Sequence, residues 1–213
     1  LNTVFLNGLP AKVVADTGMD VLTHSIEAYV STNANPFSSS FAMKSIKLIF
    51  ENLVAHYNDR KIQGPKENVQ FASCLAGIAF DNSSLGINHS IAHTVGAKFH
   101  IAHGRANAII MPYVIEVNTE ANRKYFEISR ELGLPSDTIE EGKYSLLSFV
   151  RILKEKLAVE KSLKDYGVDF EAFKREIPSM LEDIKKDICT QYNPNKLTDE
   201  EYVRLLLKIY FGE

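Results

Sequence analysis

Apolar residues recur three and four positions apart along most of this chain, and the strict alternation of a half-buried strand is nearly absent. Asp16-Thr17 offers a cap for a helix through Met19 to about Val30, behind a lead-in, Leu1 to Pro10, that reads as extended. Asn33 to Pro36 is a turn, and Ser38 to Ser40 offer caps for a long helix through Leu48, Ile49 and Leu53. Gly64-Pro65 punctuates the chain. Val69 to Phe80 is small and apolar nearly all round (Ala72, Ala76, Gly77, Ala79), the pattern of a helix buried among helices. Ser83-Ser84 would cap a segment from Leu85 to about Phe99, and Gly104 to about Val117 gives another, which Met111-Pro112 should bend or restart. The more charged second half predicts helices over Asn122 to Leu132, Glu140 to Leu157, Asp169 to Lys186 (bent or split at Pro178) and Thr198 to Tyr210. The expected fold is therefore an all-α helical bundle of about eight or nine helices, with residues 1–213 as one domain.

Composition narrows the function classes. The 213 residues are 45% hydrophobic, enough for a sizeable core, and the net charge is −3 with no Lys/Arg block, which argues against a nucleic-acid partner. The two cysteines, Cys74 and Cys189, form no CxxC pair, so neither a disulfide framework nor a cysteine zinc site is expected, and a cytoplasmic location is the default. The longest apolar runs, such as Leu146 to Leu153, are broken by Ser148 and Arg151 and fall far short of the roughly 20 residues of a membrane helix. Leu1 in place of Met suggests a piece of a longer chain. None of the eleven glycines forms GxG, so no GxGxxG or GxxxxGK[ST] loop is present to cradle a nucleotide phosphate.

The chemistry concentrates in the histidines. Four of the six lie within the fifteen residues from His89 to His103. His89 and His93 stand four apart on an expected helix, so their rings leave one face; His103 follows just before Gly104. Upstream, Asp20 and His24 are again four apart. Two helices that each present such a pair can close on one cation, and imidazole with one carboxylate suits a borderline divalent metal such as Fe, Zn, Co or Ni. The candidates outnumber the ligands one metal needs, which leaves room for a catalytic neighbour. His56 reads as a surface or satisfied core histidine, and His100 flanks the cluster without a clear role. Glu27, two turns from Asp20, reads as a solvated carboxylate, with a supporting position beside the site as the other reading.

These residues also carry a resemblance. Gly18-Met19-Asp20-Val21-Leu22-Thr23-His24-Ser25-Ile26-Glu27-Ala28-Tyr29 resembles the GxDALTHxxEAY signature of iron-containing (group III) alcohol dehydrogenases. Ala76 to Phe80, Leu85 to His93 and Phe99 to Gly104 resemble the family's second signature. Asp187-Ile188-Cys189-Thr190 with Asn193-Pro194 resembles its CTxxNPR tail. The match runs over essentially the whole chain, and the FHIxHG form looks closest to butanol dehydrogenases and to the alcohol dehydrogenase half of bifunctional aldehyde–alcohol dehydrogenases. Three positions depart from the pattern: Val21 for Ala, Asn195 for Arg and Ala102 for Pro. None is a ligand position, so they bear on the subfamily.

The resemblance implies the dehydroquinate synthase-like architecture of that family, with this chain as its C-terminal helical, metal-binding domain. An N-terminal domain of the same protein would bind NAD or NADP. It implies Asp20, His24, His89 and His103 as ligands of Fe2+, Zn2+ or another divalent metal, and His93 as the proton-transfer residue. A small alcohol and its aldehyde or ketone would be the substrates, in a homo-oligomer. Two other readings remain: a helical metal-binding or interaction module inactive on its own, and a lyase of the dehydroquinate synthase type, against which the Asp20/His24 pair argues.

Overall fold

The computed structural model describes residues 2–213. Among them are ten α-helices and no strand: α1 (Ala11–Val30), α2 (Pro36–Asn58), α3 (Gln63–Ser83), α4 (Ile87–Phe99), α5 (His103–Val117), α6 (Asn122–Glu131), α7 (Ile139–Lys156), α8 (Leu163–Tyr166), α9 (Phe170–Lys186) and α10 (Asp199–Phe211). The four-residue α8 takes the number past the expected nine; it is too short for periodicity to reveal. No described helix is long and apolar enough to cross a membrane.

α5 is the centre of the bundle and packs against α1, α4, α7 and α10. Its residues are buried without a break from Arg105 to Ile115. That is the helix buried on every side; the sequence had placed this role on Val69–Phe80. In α3, burial is confined to Lys66 and the small residues Ala72, Ala76, Ala79 and Ser83, while Phe71 and Ile78 are exposed. The small residues let α3 approach α2 closely enough for the Ser45 hydroxyl to donate to Ala72 O at 2.8 Å, with Ser25 Oγ 2.8 Å from Ser45 Oγ.

Several expected caps move. α1 begins at Ala11 behind Pro10, and Asp16 lies within it. Asp16 is buried and forms an ion pair with Arg105 of α5 at 2.6 Å, so its sequence neighbourhood misrepresents it as a cap. Asn35 caps α2 in a reciprocal box with Ser38, and Pro36 stands in the first turn, where its missing N–H costs nothing. Gly86 rather than the Ser83-Ser84 pair precedes α4. Gly64-Pro65 falls inside the first turn of α3. Within the expected lead-in, Thr3–Leu6 forms a 3-10 turn capped by Asn2; Leu1 lies outside the described residues. Neither internal proline restarts its helix: α5 runs through Pro112 and α9 through Pro178. At Ile109, one turn before Pro112, the buried Lys154 of α7 donates Nζ to the carbonyl at 3.2 Å. Burial pushes this ammonium down to about 7.

Candidate metal centre

Three elements converge beside the centre of the bundle. α1 supplies Asp20 and His24, α4 supplies His89 and His93, and α5 opens on His103. The approach of α5 to α1 depends on Gly104. A side-chain carbon there would lie 2.2 Å from Asp16 O and 3.2 Å from Asp20 Cβ. The residue after His103 therefore has no room for a side chain, and this sets His103 against Asp20.

Asp20, His24, His89 and His103 each bring one donor atom to a common point, all within 4.8 Å of one another. His103 Nε2 is 3.4 Å from Asp20 Oδ1, His89 Nε2 is 3.8 Å from the same oxygen, and His24 Nδ1 is 3.8 Å from Asp20 Oδ2. Donors bound to one cation at about 2.1 Å would stand roughly 3–4 Å apart, so the spacing fits a metal. The chemistry of the donors fits as well. Burial, and then repulsion from His89, pushes His24 down to about 4; burial pushes His89 down to about 3. Both rings are neutral near pH 7 and keep a lone pair for a cation. His89 Nε2 is buried and has no hydrogen-bond partner. An unsatisfied buried ring nitrogen costs of order 1–3 kcal/mol, which a bound cation would offset.

The surrounding groups aim these donors. Glu27, expected in solvent, is buried. Its Oε1 accepts Asn88 N–H at 2.7 Å, and its Oε2 accepts His89 N–H at 3.3 Å and lies 2.5 Å from His89 Nδ1. A proton on Nδ1 leaves Nε2 free to face the other donors. Burial pushes the Glu27 carboxyl up to about 7, against the backbone N–H groups at the start of α4, which favour its charge. Asn107, one turn beyond His103, donates Nδ2 to Asp20 Oδ1 at 2.7 Å and lies 3.0 Å from His103 Nε2. Its own Oδ1 accepts Asn88 Nδ2 at 2.8 Å, which closes a network back to Glu27. The i, i+4 spacing from His103 was the one sequence signal for Asn107. Phe80 stacks on His24 with centroids 4.7 Å apart. Both line a cavity of about 510 Å³ that also holds Thr17, Asp20 and Val21.

His93 stands beside the cluster and contributes none of its four donors. It is half exposed, its Nδ1 lies 2.6 Å from Asp187 Oδ2, and its ring stacks on His103 with centroids 5.4 Å apart. Despite burial, the bonds from His93 and from Cys189 N–H hold the Asp187 carboxyl below the usual carboxylate range. His100 is exposed in the left-handed conformation that ends α4, outside the cluster. His56 is buried in α2, but its Nδ1 has no partner, so it is a core histidine without being a satisfied one. Cys74 and Cys189 are unpaired.

An all-helical domain in which three imidazoles and a carboxylate converge on one point has the donor set of a helical domain that could hold a metal ion. Comparison with known proteins gives this class its name: the sequence pattern of the Fe-containing alcohol dehydrogenase family, C-terminal, matches residues 14–210, and the chain belongs to that family. It is 42% identical to the NADPH-dependent butanol dehydrogenase of Clostridium saccharobutylicum, over 96% of this chain and 52% of that protein. To the bifunctional aldehyde-alcohol dehydrogenase of Escherichia coli it is 36% identical, over 96% of this chain and 25% of that one. The chain thus spans between a quarter and about half the length of these curated relatives. Among solved structures it superposes on a 1,3-propanediol oxidoreductase with a TM-score of 0.93 (31% identity; 98% of this chain, 55% of that one). On the iron-containing alcohol dehydrogenase of Thermococcus thioreducens the TM-score is 0.91 (34% identity; 100% and 54%).

Proposed function

We propose that this chain is the metal-holding domain of an NAD(P)-dependent alcohol dehydrogenase that interconverts a small alcohol and its aldehyde or ketone. Asp20, His24, His89 and His103 would hold a divalent cation, iron or zinc. The observation that carries this reading is the buried, unpartnered Nε2 of His89, aimed at three other donors while Glu27 holds the opposite nitrogen of its ring. A bound cation would supply Lewis acidity at the substrate oxygen, and a nicotinamide coenzyme would serve as hydride acceptor.

The chain's own residues do the rest. Asn107 steadies Asp20 through its amide. Ala92, Ala97 and Ile101 give the cleft that His93 shares with His103 apolar walls suited to a short carbon chain. His93, beside His103 and half open to the cleft, accepts the hydroxyl proton, because imidazole is the side chain whose proton affinity suits exchange near neutral pH. The coenzyme would be bound mainly by an N-terminal domain of the full-length protein, in a cytoplasmic homo-oligomer.

Two substitutions in the full-length parent test the ligand set against the proton acceptor. His89→Ala should lose metal and activity together. His93→Ala should keep most of the metal while turnover falls about 10²–10⁴-fold. Metal analysis and steady-state kinetics on both variants decide it. Loss of metal from His93→Ala with retention in His89→Ala would reverse the assignment.

A further inference from the structure

We propose that Asp187 is a positioning residue that fixes the tautomer of His93, holding the proton on Nδ1 so that the Nε2 lone pair faces the cleft. The proposal rests on the reading of His93 as the proton acceptor for its consequence, though not for its geometry. Asp187 lies ninety-four residues from His93, at the junction where α9 ends and the 3-10 turn Ile188–Tyr192 begins. It is partly shielded from solvent and its two oxygens have separate tasks. Oδ1 accepts Cys189 N–H at 2.8 Å and the Ser90 hydroxyl at 3.2 Å. Ser90 Oγ in turn accepts the Thr190 hydroxyl at 2.8 Å. These bonds lock the rotation of the carboxylate and leave Oδ2 pointing at His93 Nδ1, 2.6 Å away.

A carboxylate is an acceptor only, so the hydrogen in that contact belongs to Nδ1. A neutral imidazole has one ring hydrogen, and Nε2 must then carry the lone pair. Nδ1 being taken up by Asp187, Nε2 is the nitrogen His93 has left to offer to the cleft of about 300 Å³ that it lines with His103. In the proposed reaction the hydroxyl proton of the alcohol would move to Nε2, with a nicotinamide coenzyme as the acceptor of the hydride. No proton moves to Asp187, which balances the charge of the imidazolium that results. Ser90 sits on α4 between the ligand His89 and His93, so the same carboxylate ties the helix bearing both histidines to the end of α9.

The two tasks of Asp187 can be separated. In Asp187→Asn, Cys189 N–H still requires an acceptor at the Oδ1 position, so the amide oxygen takes that place. The NH2 group then faces His93 Nδ1 and can only donate. The ring is driven to the opposite tautomer, with its proton on Nε2 and no lone pair toward the cleft. A purely structural Asp187 would leave the tautomer unchanged in the same variant.

The test is 15N NMR of the zinc-loaded full-length enzyme with labelled histidine, His93 being assigned by its absence from His93→Ala. The wild type should show a protonated Nδ1 and an unprotonated Nε2. Asp187→Asn should show the reverse, with metal content and alcohol KM retained and kcat reduced about 10²–10⁴-fold. A wild-type His93 protonated at Nε2, or an Asp187→Asn variant with the wild-type tautomer, overturns the proposal. The wild-type spectrum decides even if the variant does not fold. A reversed tautomer with unchanged kcat supports the positioning role and overturns the reading of His93 as proton acceptor.

Discussion

Glu27 satisfies three donors with two oxygens: the N–H groups of Asn88 and His89, and the Nδ1 edge of the His89 ring. A glutamine has one acceptor oxygen to offer. In Glu27→Gln the amide nitrogen must face either a backbone N–H, which it cannot accept, or His89 Nδ1, where it displaces the proton to Nε2. Either arrangement disturbs the nitrogen that would bind the cation. Partners of metal-binding histidines typically contribute 10–100-fold in affinity, and Glu27→Gln in the full-length protein should weaken metal binding by about that factor. Competition with a chelator measures it, and an unchanged affinity would remove Glu27 from the site. At this scale the candidate donors are legible in the sequence and the groups that orient them are not. Asp20, His24, His89, His93 and His103 stand out by type and spacing, and only the family resemblance sets His93 apart from the other four. Glu27 looked solvated because it lies two turns along α1 from Asp20, and what buries it is the start of α4, sixty residues away. Asp187 stands beside the tail motif, but nothing local pairs it with His93, which the packing of α4 on α9 brings to it.

Among the elements, the contact between α1 and α5 controls the site. Asp16 and Arg105 form a buried ion pair across it, and Gly104 lets the backbones meet. Gly104→Ala forces a carbon into the space held by Asp16 O. Unlike the end of a side chain, that carbonyl cannot turn away, so α5 must shift and take His103 from Asp20. Overpacking of this kind costs roughly 1–3 kcal/mol. The variant should lower the unfolding midpoint in denaturant and weaken metal binding together. Gly77→Ala is the matched control: nothing lies within 4 Å of the added carbon, and replacing a helical glycine should raise stability by about 0.5–1 kcal/mol. Equal stability losses in the two variants would refute the close-contact argument. The helices themselves were legible from period alone, and their ends were less so. Asp16 and Ser83-Ser84 have the composition of caps but lie inside a helix or at the end of the preceding one. The burial of α3 was overread because small residues serve close approach on one face and say nothing of the other.

For the molecule as a whole, the site has a covered side and an open one. Glu27, Asn88 and Asn107 back the donors from within the bundle, whereas His93 and His103 are nearly half exposed on the other side. Hydride transfer needs a site shielded from bulk water, and a dinucleotide needs a cradle for its phosphates, which glycine-rich turns at helix N-termini usually supply. The 213 residues contain no GxG. The helices that begin at the site start on Ile87 and His103, and their first turns are occupied by Glu27 and by the contact with Asp16. This chain alone should therefore bind NAD and NADP no more tightly than millimolar and should show no alcohol-dependent reduction of either, even when loaded with metal. Titration calorimetry with both coenzymes, beside the full-length parent, measures this. Micromolar binding by the isolated chain would mean that the helical domain holds the dinucleotide itself, and the division of labour proposed between the two domains would have to be abandoned.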